Sequence, residues 1–356
     1  MSHKPSPASA PRRHLAGKLA LAASSLLLTL LAAEGGIRLS GLAPEVGLVR
    51  HGRYRLSLDP LLGFEPIPRQ TFARDPSGHY DYAGASNSFG FRDREHAVAK
   101  PRGVYRIVVL GDSVGAGLKV ARTEDTFPPL LEGLLNRRGL RAEVINLSVD
   151  GYNTQQEVEI LIERGLRFSP DLVLVAYTLS DRERLDGNIF EALLDQYYGG
   201  ASHGWRGDLP PWLAPSALAR FVAYRVLPPR RISDYSKRMK IEAALARTSG
   251  DTVEASFARL HALEAQHGFA VLVAIFPYFP RNYAKYAYRG EHELAARRAR
   301  AAGFAVVDLL PVMERCAARG VIRIESFHPN ERGHRCAAEA LVGPAFEVAR
   351  RGPRWK

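Results

Sequence analysis

Short apolar runs alternate with amphipathic stretches over most of the chain, and the elements follow from that alternation. Residues 105–110 form a β-branched-rich run that stops at Gly111, the pattern of a strand buried on both faces. Residues 126–138 carry apolar side chains at helical spacing, 142–147 read as a second strand, and 154–164 as a second helix with Thr154 placed to cap it. A third strand, 172–177, is apolar up to Tyr177. Further on, 253–267 predicts a helix, 270–276 a fourth strand, 291–302 a helix, 304–308 a fifth strand and about 330–350 a last helix. Five strands separated by helices predict an α/β fold, a doubly wound parallel five-stranded sheet covered on both faces. Ligands of such sheets bind beyond the carboxyl ends of the strands. Chemistry is therefore expected just after Leu110, Leu147, Tyr177, Phe276 and Asp308.

Three segments break the rhythm. Arg12, Arg13, His14 and Lys18 precede an apolar run, 19–33, that ends at Glu34 and Arg38. The run is short of the roughly 20 residues a spanning helix needs, but it reaches that length if extended to Leu15 across Lys18, whose long stem carries its amine to the interface. Basic residues ahead of a single apolar stretch keep the N-terminus cytoplasmic and send the rest across. This predicts a cytoplasmic tail over 1–14 and an N-terminal transmembrane helix over 15–38, a single-pass anchor in the inner membrane with the following domain in the periplasm. The alternative is a cleavable signal peptide, for which Ala33-Glu34-Gly35 offers a small-x-small site. In either case the domain lies outside the cytoplasm. Residues 39–104 read as an irregular lead-in rich in Pro and Gly. The third segment, 182–250, carries Tyr197, Tyr198, Trp205, Trp212 and the pairs Pro210-Pro211 and Pro228-Pro229. An excursion this long between strands predicts a lid or docking surface, with a packing flap over the sheet edge as the alternative.

Composition narrows the partners. A formal net charge of +12, spread as Arg along the whole chain, comes with no helix-turn-helix, zinc-finger or RNA-binding signature, so nucleic acid is not expected as a partner. Only two cysteines are present, Cys316 and Cys336, and both a disulfide and two free thiols fit their positions.

Two clusters carry candidate chemistry. Gly111-Asp112-Ser113 follows a buried strand and precedes a Gly-rich turn, Gly115-Ala116-Gly117. A Ser at such a turn projects its hydroxyl while the N–H groups of the next helix point at whatever it attacks. The plainer reading is a Ser capping a helix. Near the C-terminus stands Glu325-Ser326-Phe327-His328-Pro329-Asn330, with Gly333-His334 beyond. A carboxylate three residues before a His can bend back to the imidazole, fixing its tautomer and stabilising the imidazolium. Pro329 is placed to open the following helix. A metal reading would pair His328 with His334, but no third ligand stands at zinc-like spacing, so no metal or other cofactor is expected. Tyr278 and Arg281, after the fourth strand, lie at the same end of the sheet, as substrate contacts or as ordinary loop residues.

These residues, in this order after these strands, resemble the SGNH/GDSL hydrolase superfamily over residues 105–345. The family's serine matches Ser113, its oxyanion glycine matches Gly151 in Ser148-Val149-Asp150-Gly151-Tyr152-Asn153, and its histidine matches His328. Upstream, Asn87-Ser88-Phe89-Gly90-Phe91-Arg92-Asp93 is similar to the membrane-anchored, extracytoplasmic branch of that superfamily. The resemblance implies a flavodoxin-like sheet over residues 105–350. It also implies a Ser113-His328-Glu325 triad and an oxyanion hole of the Ser113 and Gly151 N–H groups with a third donor. Two departures stand out. Ser180 occupies the position of the usual Asn donor before Asp181, which makes Ser180, or Asn153 from the neighbouring loop, the third donor. Glu325 stands where the family has Asp. The function implied is a serine esterase or acyl transferase on an acyl ester of a carbohydrate or lipid. The alternatives are a non-catalytic carbohydrate-binding or assembly protein with a decayed site, and a metal-dependent phosphodiesterase or nuclease using the basic surface.

Overall fold

A computed structural model describes residues 12–43, 50–72 apart from 52, 58 and 60, 84–182, 213–222 apart from 214, then 226 and 252–352. Most of the predicted excursion at 182–250, with Trp205 and Trp212, lies outside these residues. The chain divides into two units, one of Met1–Val49 with Asp195–Arg238, the other of Arg50–Leu194 with Met239–Lys356.

The second unit holds the predicted sheet. Strands β1 (Tyr105–Gly111), β2 (Ala142–Asn146), β3 (Leu172–Tyr177), β4 (Ala270–Ile275) and β5 (Ala305–Asp308) lie in the order β5-β4-β3-β1-β2, every pair parallel. The α/β fold class expected from the alternation is therefore the one found. The three central strands β1, β3 and β4 are buried almost throughout, as uninterrupted apolar runs require, while the edge strand β5 is only half-buried. One residue departs from the apolar pattern. Arg106 is fully buried in β1, and its guanidinium donates to Glu143 and to the carbonyls of Ala97, Val98, Ala99 and Phe168. An Arg taken out of water is stable only with its fork of donors filled. Here the filling groups fasten the segment before β1 to the sheet.

Element ends differ from the sequence reading in instructive ways. The helix after β2 is capped by Asn153, not Thr154: the Asn153 side chain accepts the Gln156 N–H at 3.0 Å and Gln156 returns the bond to the Asn153 N–H at 3.1 Å. That helix is α-helical only over Thr154–Ile160 and continues through a wider turn, Leu161–Gly165. Pro329 does not open the last helix. Asn330 caps it through the Gly333 N–H, and Pro329 sits outside in a bridge with Arg323. The helix Leu310–Ala317 is joined to the last helix, Glu331–Arg351, by a Cys316–Cys336 disulfide with Cα atoms 6.6 Å apart.

The lead-in is more ordered than its composition suggests. Short strands Arg50–His51, Tyr54–Leu56 and Phe64–Pro66 pair antiparallel, as do Thr71–Phe72 and Gly84–Ala85. Phe64 is fully buried against Tyr152, whose hydroxyl donates to the Phe64 carbonyl at 2.7 Å. Gly90 has φ +97°, and a Cβ there would stand 2.7 Å from the Pro66 carbonyl, so glycine is required on both counts.

In the first unit, helix Arg12–Ser40 contains a 24-residue apolar segment, Gly17–Ser40, none of it buried. At 1.5 Å per residue this spans about 36 Å, enough to cross a bilayer core. Its end meets a short helix, Ala217–Phe221: Glu34 accepts hydrogen bonds from Ser216 Oγ and from the N–H groups of Ala217 and Leu218, all at 2.8 Å. Arg38 donates to the Pro215 carbonyl at 2.9 Å.

Candidate active site

The turn after β1 sets the site. Asp112 caps a single helical turn, Ser113–Ala116, by accepting the Val114 N–H at 2.8 Å. Ser113 is the first residue of that turn, so its N–H has no intrahelical partner. Gly117 ends the turn with φ +69°, and a Cβ there would lie 2.2 Å from Thr126 Cγ2. Two further supports hold the turn. The Asn146 side chain donates to the Gly115 carbonyl at 3.0 Å, and the buried Arg92 donates to the carbonyls of Gly117 and Val120. The Asn87–Asp93 motif thus acts as a brace behind the serine.

Ser113 is brought into one series with Glu325 and His328, more than two hundred residues further along the sequence. Ser113 Oγ lies 2.9 Å from His328 Nε2, and His328 Nδ1 lies 2.5 Å from Glu325 Oε1. The loop bearing Glu325 and His328 is fixed by the Phe279 N–H, which donates to the Ser326 carbonyl at 2.6 Å. Lys119 Nζ reaches the second oxygen of Glu325 at 2.9 Å. Burial works to raise the Glu325 carboxyl, but hydrogen bonds from Lys119 and His328 together with their charges outweigh it, and the group is held below the ordinary carboxylate range. A hydroxyl, an imidazole and an ionised carboxylate in series can draw a proton off the hydroxyl and hold the resulting imidazolium.

The other predicted residues fall around this series in different ways. Gly151 has φ +77°, and the backbone bonds of its loop run from Val149 N–H to Gly111 O and from Tyr152 N–H to Val149 O, passing over the Gly151 N–H. Asn153 Oδ1 is committed to the helix cap. Ser180 Oγ lies 2.8 Å from Thr178 Oγ1. His334, read beside His328 as a metal pair, is instead fully buried, stacked on Phe127, and accepts the Phe127 N–H at Nδ1 (3.2 Å). Burial first, then the charges of Arg92 and His328, hold it down to about 3, so it is a neutral core residue. Among the described residues the carboxylates Asp59, Glu159 and Glu163 do gather within 4.8 Å of one another, but Glu159 already faces Arg259 at 2.5 Å.

Sequence reasoning missed a buried acidic layer next to the serine. Thr178 Oγ1 lies 2.9 Å from Asp112 Oδ2 and 2.8 Å from Asp181 Oδ1. One hydroxyl proton serves one carboxylate, so the second contact needs the other carboxyl protonated and donating to Thr178 Oγ1. Burial pushes the Asp112 carboxyl up to about 6, in line with that count. Glu157 is buried nearby with neither carboxylate oxygen hydrogen-bonded, and burial plus the charges of Asp181 and Asp112 push it well above its ordinary value. Asp112 caps the turn where the plainer reading of the sequence had a Ser as the cap. Thr178, Glu157 and Lys119 carried no signal.

Residues 109–336 match the GDSL-like Lipase/Acylhydrolase family. The chain belongs to this family. It is accordingly an acylhydrolase, an enzyme of ester bonds. No curated protein matches the sequence. Among solved structures, TesA is similar at 16% identity over 68% of this chain and 99% of its own, with a TM-score of 0.41. The acetyl xylan esterase AlAXEase is similar at 12% identity over 67% of this chain and 98% of its own, TM-score 0.40. The psychrotrophic esterase EstA from Pseudoalteromonas sp. is similar at 13% identity, 69% and 98% coverage, TM-score 0.39. Likeness of this degree says nothing of the substrate of this acylhydrolase.

Proposed function

We propose that this acylhydrolase is a serine esterase working through Ser113, His328 and Glu325, held at a membrane by its N-terminal helix and acting outside the cytoplasm on an acyl ester of a carbohydrate or lipid. The observation that carries the reading is the unbroken series from Ser113 Oγ through His328 to Glu325, with contacts of 2.9 and 2.5 Å.

Ser113 Oγ attacks the acyl carbonyl as His328 Nε2 takes its proton, and Glu325 steadies the imidazolium. The carbonyl oxygen becomes an oxyanion between the N–H groups of Ser113 and Gly151. The tetrahedral intermediate collapses, the alcohol leaves with the proton from His328, and the acyl group stays on Ser113. Water, or a sugar hydroxyl in the transferase version, then gives its proton to His328 and takes the acyl group, while the acyl–Ser113 bond breaks and His328 returns that proton to Ser113 Oγ. Ser180 or the Asn153 amide would supply the third oxyanion donor, and the Thr178 contact draws the Ser180 hydroxyl toward the acidic layer. That contact is the one observation favouring a second reading, a binding protein with a weakened site.

Retention of the helix is supported by Glu34 and Arg38, which lie in and beyond the small-x-small site and bond to residues 215–218. A domain outside the cytoplasm is supported by the Cys316–Cys336 disulfide. The test compares wild type with Ser113→Ala on short-chain aryl esters and acetylated sugars. Turnover by wild type and loss of about 10³-fold or more in the variant is expected; equal rates would reject the assignment, and no turnover by either would favour the binding reading.

A further inference from the structure

Three aromatic rings stand beside the His328 loop. Phe327 immediately precedes His328 and is 57% exposed, and Tyr288 is 45% exposed. Tyr278 joins them edge-to-face, its ring 5.2 Å from Phe327 at 85° and 5.1 Å from Tyr288 at 90°. The floor beneath is firm. Tyr286 packs edge-on against Tyr288, its hydroxyl accepts the Tyr278 N–H at 3.2 Å, and it meets His292 Nε2 at 2.9 Å. Large exposed apolar groups gathered in one place mark a binding surface, and this one is continuous in sequence with the residue that touches Ser113.

We propose that Tyr278, Tyr288 and Phe327 form a stacking platform for the sugar rings of an acylated carbohydrate, holding the acyl-bearing residue over Ser113. The proposal rests on the reading of Ser113 as the esterase nucleophile and adds the chemical class of the acyl carrier. Aromatic faces are electron-rich, and the C–H face of a pyranose presents weakly positive hydrogens to them. The tyrosines add polar tips suited to the hydroxyl rim of a sugar. A long acyl chain calls instead for an enclosed apolar cavity, whereas Phe327 and Tyr288 stand open to solvent on either side of the Tyr278 ring. Sugar is therefore the occupant these rings fit.

The experiment separates binding from turnover. Full-length Ser113→Ala protein in detergent is titrated calorimetrically with unacylated β-1,4-linked hexasaccharides of xylose and of N-acetylglucosamine. Saturable binding to one of them is expected, weakened about tenfold when Phe327→Ala or Tyr288→Ala is added and kept by Phe327→Trp, which retains an aromatic face. In proteins with Ser113 intact, the ratio of kcat/KM for sugar acetates over aryl acetates should fall by a similar factor in Phe327→Ala. Absence of saturable binding to either hexasaccharide, or affinity unchanged by both alanine variants, overturns the proposal. So does a Phe327→Ala variant that loses only the preference for aryl decanoate over aryl acetate, which would assign the rings to an acyl chain. Failure of the nucleophile assignment would show separately, as turnover surviving in Ser113→Ala.

Discussion

Glu325 takes the place of the usual Asp and is held from two sides, by His328 and by Lys119. The second contact explains how a longer side chain keeps one geometry, since an anchored carboxylate cannot swing away from the imidazole. Glu325→Gln keeps the shape and removes the charge, so kcat should fall about 10²–10⁴-fold with little change in KM, measured by steady-state ester hydrolysis. Lys119→Met should cost less in kcat but move the acid limb of kcat/KM to higher pH, because the carboxyl loses the first of the two hydrogen bonds that hold its proton affinity down. His334 gives a prediction of the opposite kind, about stability. Its folded-state value is held down to about 3, below the ordinary 6.5, so its contribution is fully present above pH 6.5 and is lost as pH falls from 6.5 through 3. His334→Gln keeps an acceptor for the Phe127 N–H but does not titrate. The drop in Tm between pH 7 and pH 4 should be smaller in that variant than in wild type.

At the scale of elements, the disulfide closes a 20-residue separation that contains both Glu325 and His328. Removing it with Cys316→Ser and Cys336→Ser should cost about 3 kcal/mol of stability by chain entropy. Because the freed loop carries two of the three reacting groups, kcat should fall along with Tm, read by thermal melts and ester hydrolysis under reducing and oxidising conditions. What could be read here from sequence alone has a physical boundary. The runs over 105–110, 172–177 and 270–276 are buried on both faces, so their pattern needed no tertiary knowledge to be seen. Ser113 and His328 were legible because each sits at an element end where chain direction fixes where a side chain can go. Asn146 and Arg92 behind the turn, Lys119 beside Glu325 and Thr178 between two carboxylates are set by contacts across the fold, and no local spacing announces such contacts. The cap was read one residue late, at Thr154, although Asn153 is the stronger cap by type and Gln156 stands three residues on; the reciprocal Gln156 bond settles it.

On the scale of the whole molecule, two units are described, one with the apolar helix and one with the sheet and the serine series. The retained-anchor reading predicts that the mature protein keeps its N-terminus, stays with the membrane fraction after carbonate washing, and gives an intact mass that includes residues ahead of Ala33. Glu34→Ala should leave it membrane-bound while exposing residues 213–222 to limited proteolysis, since that side chain accepts three bonds from Ser216, Ala217 and Leu218. The central claim is that Ser113 is an activated nucleophile, and covalent labelling of the folded, detergent-solubilised protein with a fluorophosphonate tests it most directly. One equivalent of probe should attach, at Ser113 by peptide mass, with no labelling of Ser113→Ala and much slower labelling of His328→Asn. Wild-type protein that stays unlabelled, or label that persists in Ser113→Ala, would contradict the account.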